Sequence, residues 1–226
     1  TIIMAVNSGP DGIVQDGLVF YVDPANKESW SGPDSSNVND LISTPTGSIF
    51  NDTSGSYGDN NSFAFDGVDD KISVSNVDYT IYSTSIWFKP NSSISTTSTQ
   101  QFLIYYSDTN YNPQKYIRLG GGENIISITM GSGESRYYSG ADIPNTQWSN
   151  VVTNYNGAQY DIYLNGVDVT NTRAASLGSS DGIIIGNRAQ ISAPFDGDIG
   201  PVLLYNNALS STEIKQNYNA LKPRFT

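Results

Sequence analysis

Apolar and polar positions along this chain alternate with period two in short blocks, and Gly, Asn, Asp, Ser and Pro separate the blocks. In Ile13 to Pro24, Leu18, Phe20 and Val22 alternate with Val19 and Tyr21 before an Asp-Pro turn. Phe63 and Phe65 share one face, Asp66-Gly67 makes a tight turn, and Ile72 and Val74 resume the alternation. Ser83 to Pro90 sets Ile86 and Phe88 opposite Trp87. Short strands follow at Phe102 to Tyr106, Tyr116 to Leu119 and Ile125 to Met130, with Arg136 to Tyr138 a candidate for another. Trp148 to Asn154 and Tyr160 to Leu164 flank Asn156-Gly157, and Asn165-Gly166 comes next. Asn-Gly supplies the positive φ that a tight hairpin turn requires. The polar stretch Asn26 to Tyr57 predicts a long crossing loop with room for one short strand, and Asn91 to Gln101 predicts an exposed rim loop. Regular short strands between turn residues predict an all-β fold, an antiparallel two-sheet β-sandwich.

The clearest local pattern lies at Phe195 to Leu221. Val202 to Tyr205 is a continuous apolar run, suited to a strand covered on both faces, and Asn206-Asn207 supplies a turn. One short C-terminal helix follows. Ser210 is its N-cap, Glu213 completes a capping box, and Leu209 and Ile214 are spaced as a hydrophobic staple. Ile214, Tyr218 and Leu221 form a single stripe that can dock on a sheet.

Here F-x-G-x-I, an apolar strand, then Y-N-x-A-L-S-x-x-E-I resembles the C-terminal signature of laminin-G-like, concanavalin A-like jelly-roll domains. FAFDGVDDKISV, TSIWFKP and WSNVVTNYNGAQYDIYLNGV agree with that family in the same order, so the resemblance runs from Gly17 to Leu221. It implies an N-terminal arm over residues 1–16 and one sandwich domain over 17–226. The fold hosts lectins, glycosidases, adhesion modules and structural proteins, so it does not name a function.

Composition narrows the chemistry. With 11 basic and 22 acidic residues the net charge is -11, and the basic residues are scattered singly. That excludes a nucleic-acid or anionic-lipid partner as the expectation. The chain has no Cys and no His, which removes disulfides, thiolate and imidazole metal sites, and Ser-His-Asp or Cys-His catalysis. The apolar runs are too short to span a bilayer, and residues 1–16 lack the pattern of a signal peptide. A glycosidase on this fold needs two opposed carboxylates. None of the four Glu, at 28, 123, 134 and 213, lies in an E-x-D-x-E motif, so no catalytic residue is assigned.

Glycan sites pair aromatic platforms with Asn, Asp and Arg. The stretches Tyr105 to Tyr116 and Arg136 to Tyr138 fit, and give Tyr106, Asp108, Asn110, Tyr111, Arg136 and Tyr137 as candidate glycan contacts. Among 15 Tyr, cross-strand packing is the ordinary role. Calcium is the candidate cofactor because Asp and Asn oxygens suit a hard cation. The resemblance implies a rim site, with Asp66, Asp69, Asp70 and Asp196 as candidate ligands. The acidic pair common in the family after F-x-G-x-I is replaced by Gly200-Pro201.

GLVFYVDPANKESWSG and the closing QNYNALKPRF are similar to laminin-G-like proteins of tailed-phage virions. This implies a non-enzymatic virion structural protein, a capsid decoration or a tail- or fibre-associated component. Its expected partners are other virion proteins, further copies of itself paired through edge strands, and a host-surface glycan. The alternative is a secreted or surface-bound lectin-like adhesion module.

Overall fold

A computed structural model describes residues 12–33, 35–43, 46–50, 60–92, 100–107, 113–120, 126–130, 135–139, 142–144, 146–171, 180–188 and 193–226. The strands are β1 (Leu18–Val22), β2 (Asn37–Asn39), β3 (Thr46–Phe50), β4 (Phe63–Asp66), β5 (Lys71–Tyr79), β6 (Ser83–Pro90), β7 (Gln100–Ser107) and β8 (Pro113–Gly120). They continue as β9 (Ile126–Met130), β10 (Ser135–Ser139), β11 (Ser149–Tyr155), β12 (Tyr160–Leu164), β13 (Val167–Asp168), β14 (Thr170–Asn171), β15 (Ser180–Ile185) and β16 (Asp196–Tyr205). Helix α1 (Ser211–Leu221) and one 3₁₀ turn close the chain.

These strands make two antiparallel sheets, the sandwich expected from the sequence. The seven-stranded sheet runs β1-β16-β6-β11-β12-β13, with β4 also on β16, and the nine-stranded sheet runs β14-β10-β9-β8-β7-β15-β5-β3-β2. The polar stretch after Asn26 holds two short strands, β2 and β3, where the sequence left room for one. The main core lies between the sheets and includes Phe20, Trp30, Phe63, Ile86, Phe88, Ile104, Ile162, Ile185, Val202 and Leu204.

β16 is covered on both sides, as its apolar run predicts. Val202 and Leu204 join the main core, whereas Leu203 and Tyr205 join a second cluster under α1. Pro201 sits where the register with β6 slips between Ile199 and Val202, so its missing N–H falls in an irregularity. At Gly200, a Cβ would come within 2.9 Å of the Phe225 ring. The glycine therefore makes room for Phe225, which stacks on Trp87 at 4.5 Å between centroids; Tyr218 stacks on the same indole at 5.5 Å.

Helix α1 starts at the predicted capping box. Glu213 N–H donates to Ser210 Oγ, and Ser210 N–H donates to Glu213 Oε2 at 2.8 Å. The Ser210 side chain and then its backbone amide hold the Glu213 carboxyl below its ordinary pKa. Neutral polar side chains fix the helix to the sheet. Asn154 accepts from Leu209 N–H at 2.9 Å and donates to its carbonyl at 3.0 Å. Asn217 accepts from Val14 N–H at 2.8 Å and donates to Tyr205 Oη at 2.9 Å. Ile13 and Val14, within the expected arm, are thus buried beside the helix.

Sheet edges offer little to a partner strand. β13 and β14 are two residues long and β2 is three. On β1, Tyr21 N–H donates to Asp40 Oδ1 at 2.7 Å and its carbonyl accepts from Leu41 N–H at 2.8 Å, so the chain covers its own edge.

Candidate functional site

The outer face of the nine-stranded sheet carries an aromatic and arginine array built by adjacent strands. Backbone pairing puts Arg136, Thr129, Tyr116, Tyr105, Ile184 and Ser73 in one cross-strand row. Tyr105 and Tyr116 lie parallel, 6.4 Å apart and 6° from coplanar, and Phe102 meets Tyr116 at 4.9 Å. The Arg118 guanidinium lies 5.7 Å from the Tyr116 ring centre, and Arg188 lies 5.8 Å from that of Phe102. These are cation–π distances. Phe102, Tyr105 and Ile184 are buried with Ala193 against them, and Phe102 N–H donates to the Ala193 carbonyl at 3.1 Å. Tyr116 and Arg188 are half-buried and form the open border of the array.

Of the predicted glycan contacts, Tyr106 lies on the other side of its strand. It is 1% exposed inside the main core, and its hydroxyl is 2.6 Å from Thr84 Oγ1. The reason is local: the register of β7 with β8 slips between Phe102 and Ile104, so Leu103 and Ile104 both face inward. Tyr105 then takes the outer position and Tyr106 the inner one. Arg136 and Tyr137 are on β10, described by backbone alone, with Arg136 in the row of Tyr116 and Tyr137 paired with Ile128. Asp108, Asn110 and Tyr111 lie outside the described residues. Sequence reasoning did not single out Phe102, Arg118 and Arg188. Their signal was weak, because the slip in β7 disrupts period-two counting.

Beneath the array, Lys115 is buried between the sheets at 4% exposure. Its Nζ is 3.3 Å from Thr84 Oγ1 and 5.0 and 4.9 Å from the ring centres of Tyr106 and Tyr160. Among the described residues it has no carboxylate partner, and burial pushes its pKa down to about 7. Burial likewise pushes the Tyr106 phenol up, against a smaller opposing effect of its bond to Thr84.

The predicted acidic residues assemble at one corner of the other sheet. Carboxylate oxygens of Asp66, Asp69 and Asp70 lie within 4.8 Å of one another. Asp66 N–H donates to Asp70 Oδ2 at 2.9 Å, and Val68 N–H donates to Asp66 Oδ1 at 2.8 Å. Asp196 pairs with Asp66 along the strands, but its Oδ1 accepts from Asn91 Nδ2 at 2.9 Å. Asp66, Asp69 and Asp70 are the residues that would hold a calcium ion, since three carboxylates match a hard cation. The same hydrogen bonds also close the turn without one.

An open groove of about 680 Å³ lies on the seven-stranded side, between α1 and the β12–β13 hairpin. Tyr163, Asp168, Ser211, Thr212, Lys215 and Asn219 contribute to its walls. Asn165 and Gly166 turn the hairpin with φ of 54° and 76°, as the Asn-Gly pair predicts.

Residues 65–215 match the family model of the concanavalin A-like lectin/glucanases superfamily, more than half of the chain. The chain belongs to that family. Among solved structures it is similar to Trypanosoma rangeli sialidase in complex with sialic acid, with TM-score 0.68 and 15% identity over 95% of this chain and 35% of that one. It is also similar to the binding domain of botulinum neurotoxin DC in complex with SialylT, with TM-score 0.65 and 15% identity over 92% and 52%. The same toxin domain in complex with rat synaptotagmin II gives TM-score 0.61 and 13% identity over 91% and 52%. The chain thus spans about a third of the sialidase and about half of the toxin domain. At such identities the likeness is one of fold. No curated protein sequence matches the chain.

Proposed function

We propose that this chain is a non-catalytic glycan-recognition module that binds through the outer face of its nine-stranded sheet. The observation that carries the reading is the stacked Tyr105–Tyr116 pair bordered by Arg118 and Arg188. A pyranose offers CH groups to an aromatic face and hydroxyls to guanidinium donors, and Tyr116 and Arg188 present both at the open border. The solved relatives of the fold include proteins captured with sialic acid and with SialylT, which is consistent with a lectin-like use of it. Non-catalytic action is supported by the side chains of this face: those described include aromatic, arginine, lysine, serine and aliphatic residues, without the pair of carboxylates that most glycoside-cleaving enzymes use.

A glycan array with the purified protein tests the reading. Binding to a restricted set of glycans, weakened about tenfold or more by Tyr116→Ala, is the expected result. Binding to none would overturn it.

The setting we propose is the surface of a tailed-phage particle, supported by the resemblance of Gly17 to Gly32 and of the closing stretch to virion proteins. Because the sheet edges are short or covered, assembly there would use faces rather than strand pairing. Light scattering on the purified protein tests assembly: a discrete closed oligomer is expected, and a monomer at all concentrations would favour a free-standing adhesion module.

A further inference from the structure

We infer that the groove between α1 and the β12–β13 hairpin is a second binding site, taking a neutral, hydroxyl-rich saccharide unit independently of the outer-face array. Four side chains in its wall, Ser211, Thr212, Lys215 and Asn219, make no hydrogen bond or ion pair with any described residue, although donors and acceptors crowd there. Across from them, Asp168 accepts from both Thr170 N–H, at 2.9 Å, and Thr170 Oγ1 through its Oδ1 alone. Burial first, then the carboxylates of Asp168 and Asp161, hold the Tyr163 phenol above its ordinary pKa, so it stays a neutral donor.

The mixture of signs selects the ligand class. Two carboxylates near Tyr163 disfavour an anion, and Lys215 disfavours a cation. A peptide needs apolar anchors, and the groove offers only the Tyr163 ring, which is itself 9% exposed. A sugar hydroxyl both donates and accepts, so it can use a carboxylate, an ammonium, an amide and two hydroxyls together. The volume suits a small ligand of this kind.

The walls are also pre-organised. A Cβ on Gly166 would lie 3.2 Å from the Tyr218 ring, so the hairpin tip rests directly on the helix. Tyr218 is in turn stacked on Trp87, and the capping box fixes the first turn that bears Ser211 and Thr212. Little ordering remains to be done on binding.

The test is a titration of ¹⁵N-labelled protein with the methyl glycosides of glucose, galactose, mannose and N-acetylglucosamine, read by amide shifts. Saturable shifts at Gly166, Thr212, Lys215 and Asn219 with at least one glycoside are expected. Asp168→Asn, which keeps an acceptor for Thr170, and Lys215→Met should each weaken that binding about tenfold. No saturable shift at these amides, or shifts unchanged in both variants, would overturn the site. The amides of Tyr116 and Arg118 report the outer-face array in the same spectra, so either site can fail while the other stands.

Discussion

The two sheets of this sandwich handle buried polarity in opposite ways. At the seven-stranded sheet neutral groups, Asn154 and Ser83 on its strands and Asn217 on α1, hold α1 and Val14 by bonds to backbone atoms, and the charge buried on β16 is an anion, Asp198. The nine-stranded sheet buries cations on aromatic rings, Lys115 on its inner side and Arg118 on its outer side. Neutral amides can satisfy a backbone at little desolvation cost, so they suit a permanent joint. A buried cation is expensive, and it is retained here on the sheet whose outer face carries the proposed glycan contacts.

Removing Trp87 should break the first half of this contrast. Trp87→Ala takes away the indole on which Tyr218 and Phe225 stack and leaves a cavity under α1. Denaturant unfolding should show a loss of about 3–5 kcal/mol. Lys115→Met tests the second half with the opposite sign. Lys115 has a folded pKa of about 7 against an ordinary value of 10.5. Between those values the unfolded chain holds a proton that the folded chain has released, so stability from this residue rises with pH. The slope approaches about 1.4 kcal/mol per pH unit and vanishes in the variant. Lys115→Met should therefore be more stable than wild type by on the order of 5 kcal/mol at pH 6, with the difference shrinking toward pH 10. A flat wild-type profile from pH 7 to 10 would contradict the burial of the charge.

Smaller effects sharpen the comparison. Arg224 pairs with Asp23 and donates to the carbonyls of Asn60 and Asn61 at 2.9 and 2.7 Å. Arg224→Ala should lower stability by about 1–3 kcal/mol, because Asp23 and two carbonyls lose a charged donor at once. Tyr116→Ala should change the unfolding free energy least, by under about 1 kcal/mol, since the ring is only half-buried. If Tyr116→Ala instead unfolded the protein, the array would be a structural joint like the one under α1.

How much of this was legible depended on how local the signal was. The helix, its capping box and the two-sided strand before it were readable because each is specified within a few consecutive residues. The strand series and the sandwich followed from period-two alternation and Asn-Gly turns. The array was only partly readable. Counting outward and inward from Phe102 puts Tyr106 outside, and a one-residue slip in β7 reverses that, which no residue type nearby announces. Lys115 did have a signal, since it alternates in phase with Ile117 and Leu119, both in the main core. The three Asp of the turn converge because Asp66 and Asp70 bracket a reversal at Gly67, with φ of 75°. Asp196 reaches that corner only through pairing of strands distant in sequence, and its carboxylate is turned to Asn91.

The position of β16 has a kinetic consequence. This one strand pairs with β1, β4 and β6, all made much earlier in the chain. Until residues 196–205 emerge from the ribosome, three strands present open edges and the core has no closing wall. Contacts spanning such long loops form slowly, so a nascent chain passes through a long interval in which those edges are free to pair wrongly. Early strands that wait for a late partner leave closure of this sandwich dependent on how soon β16 is delivered.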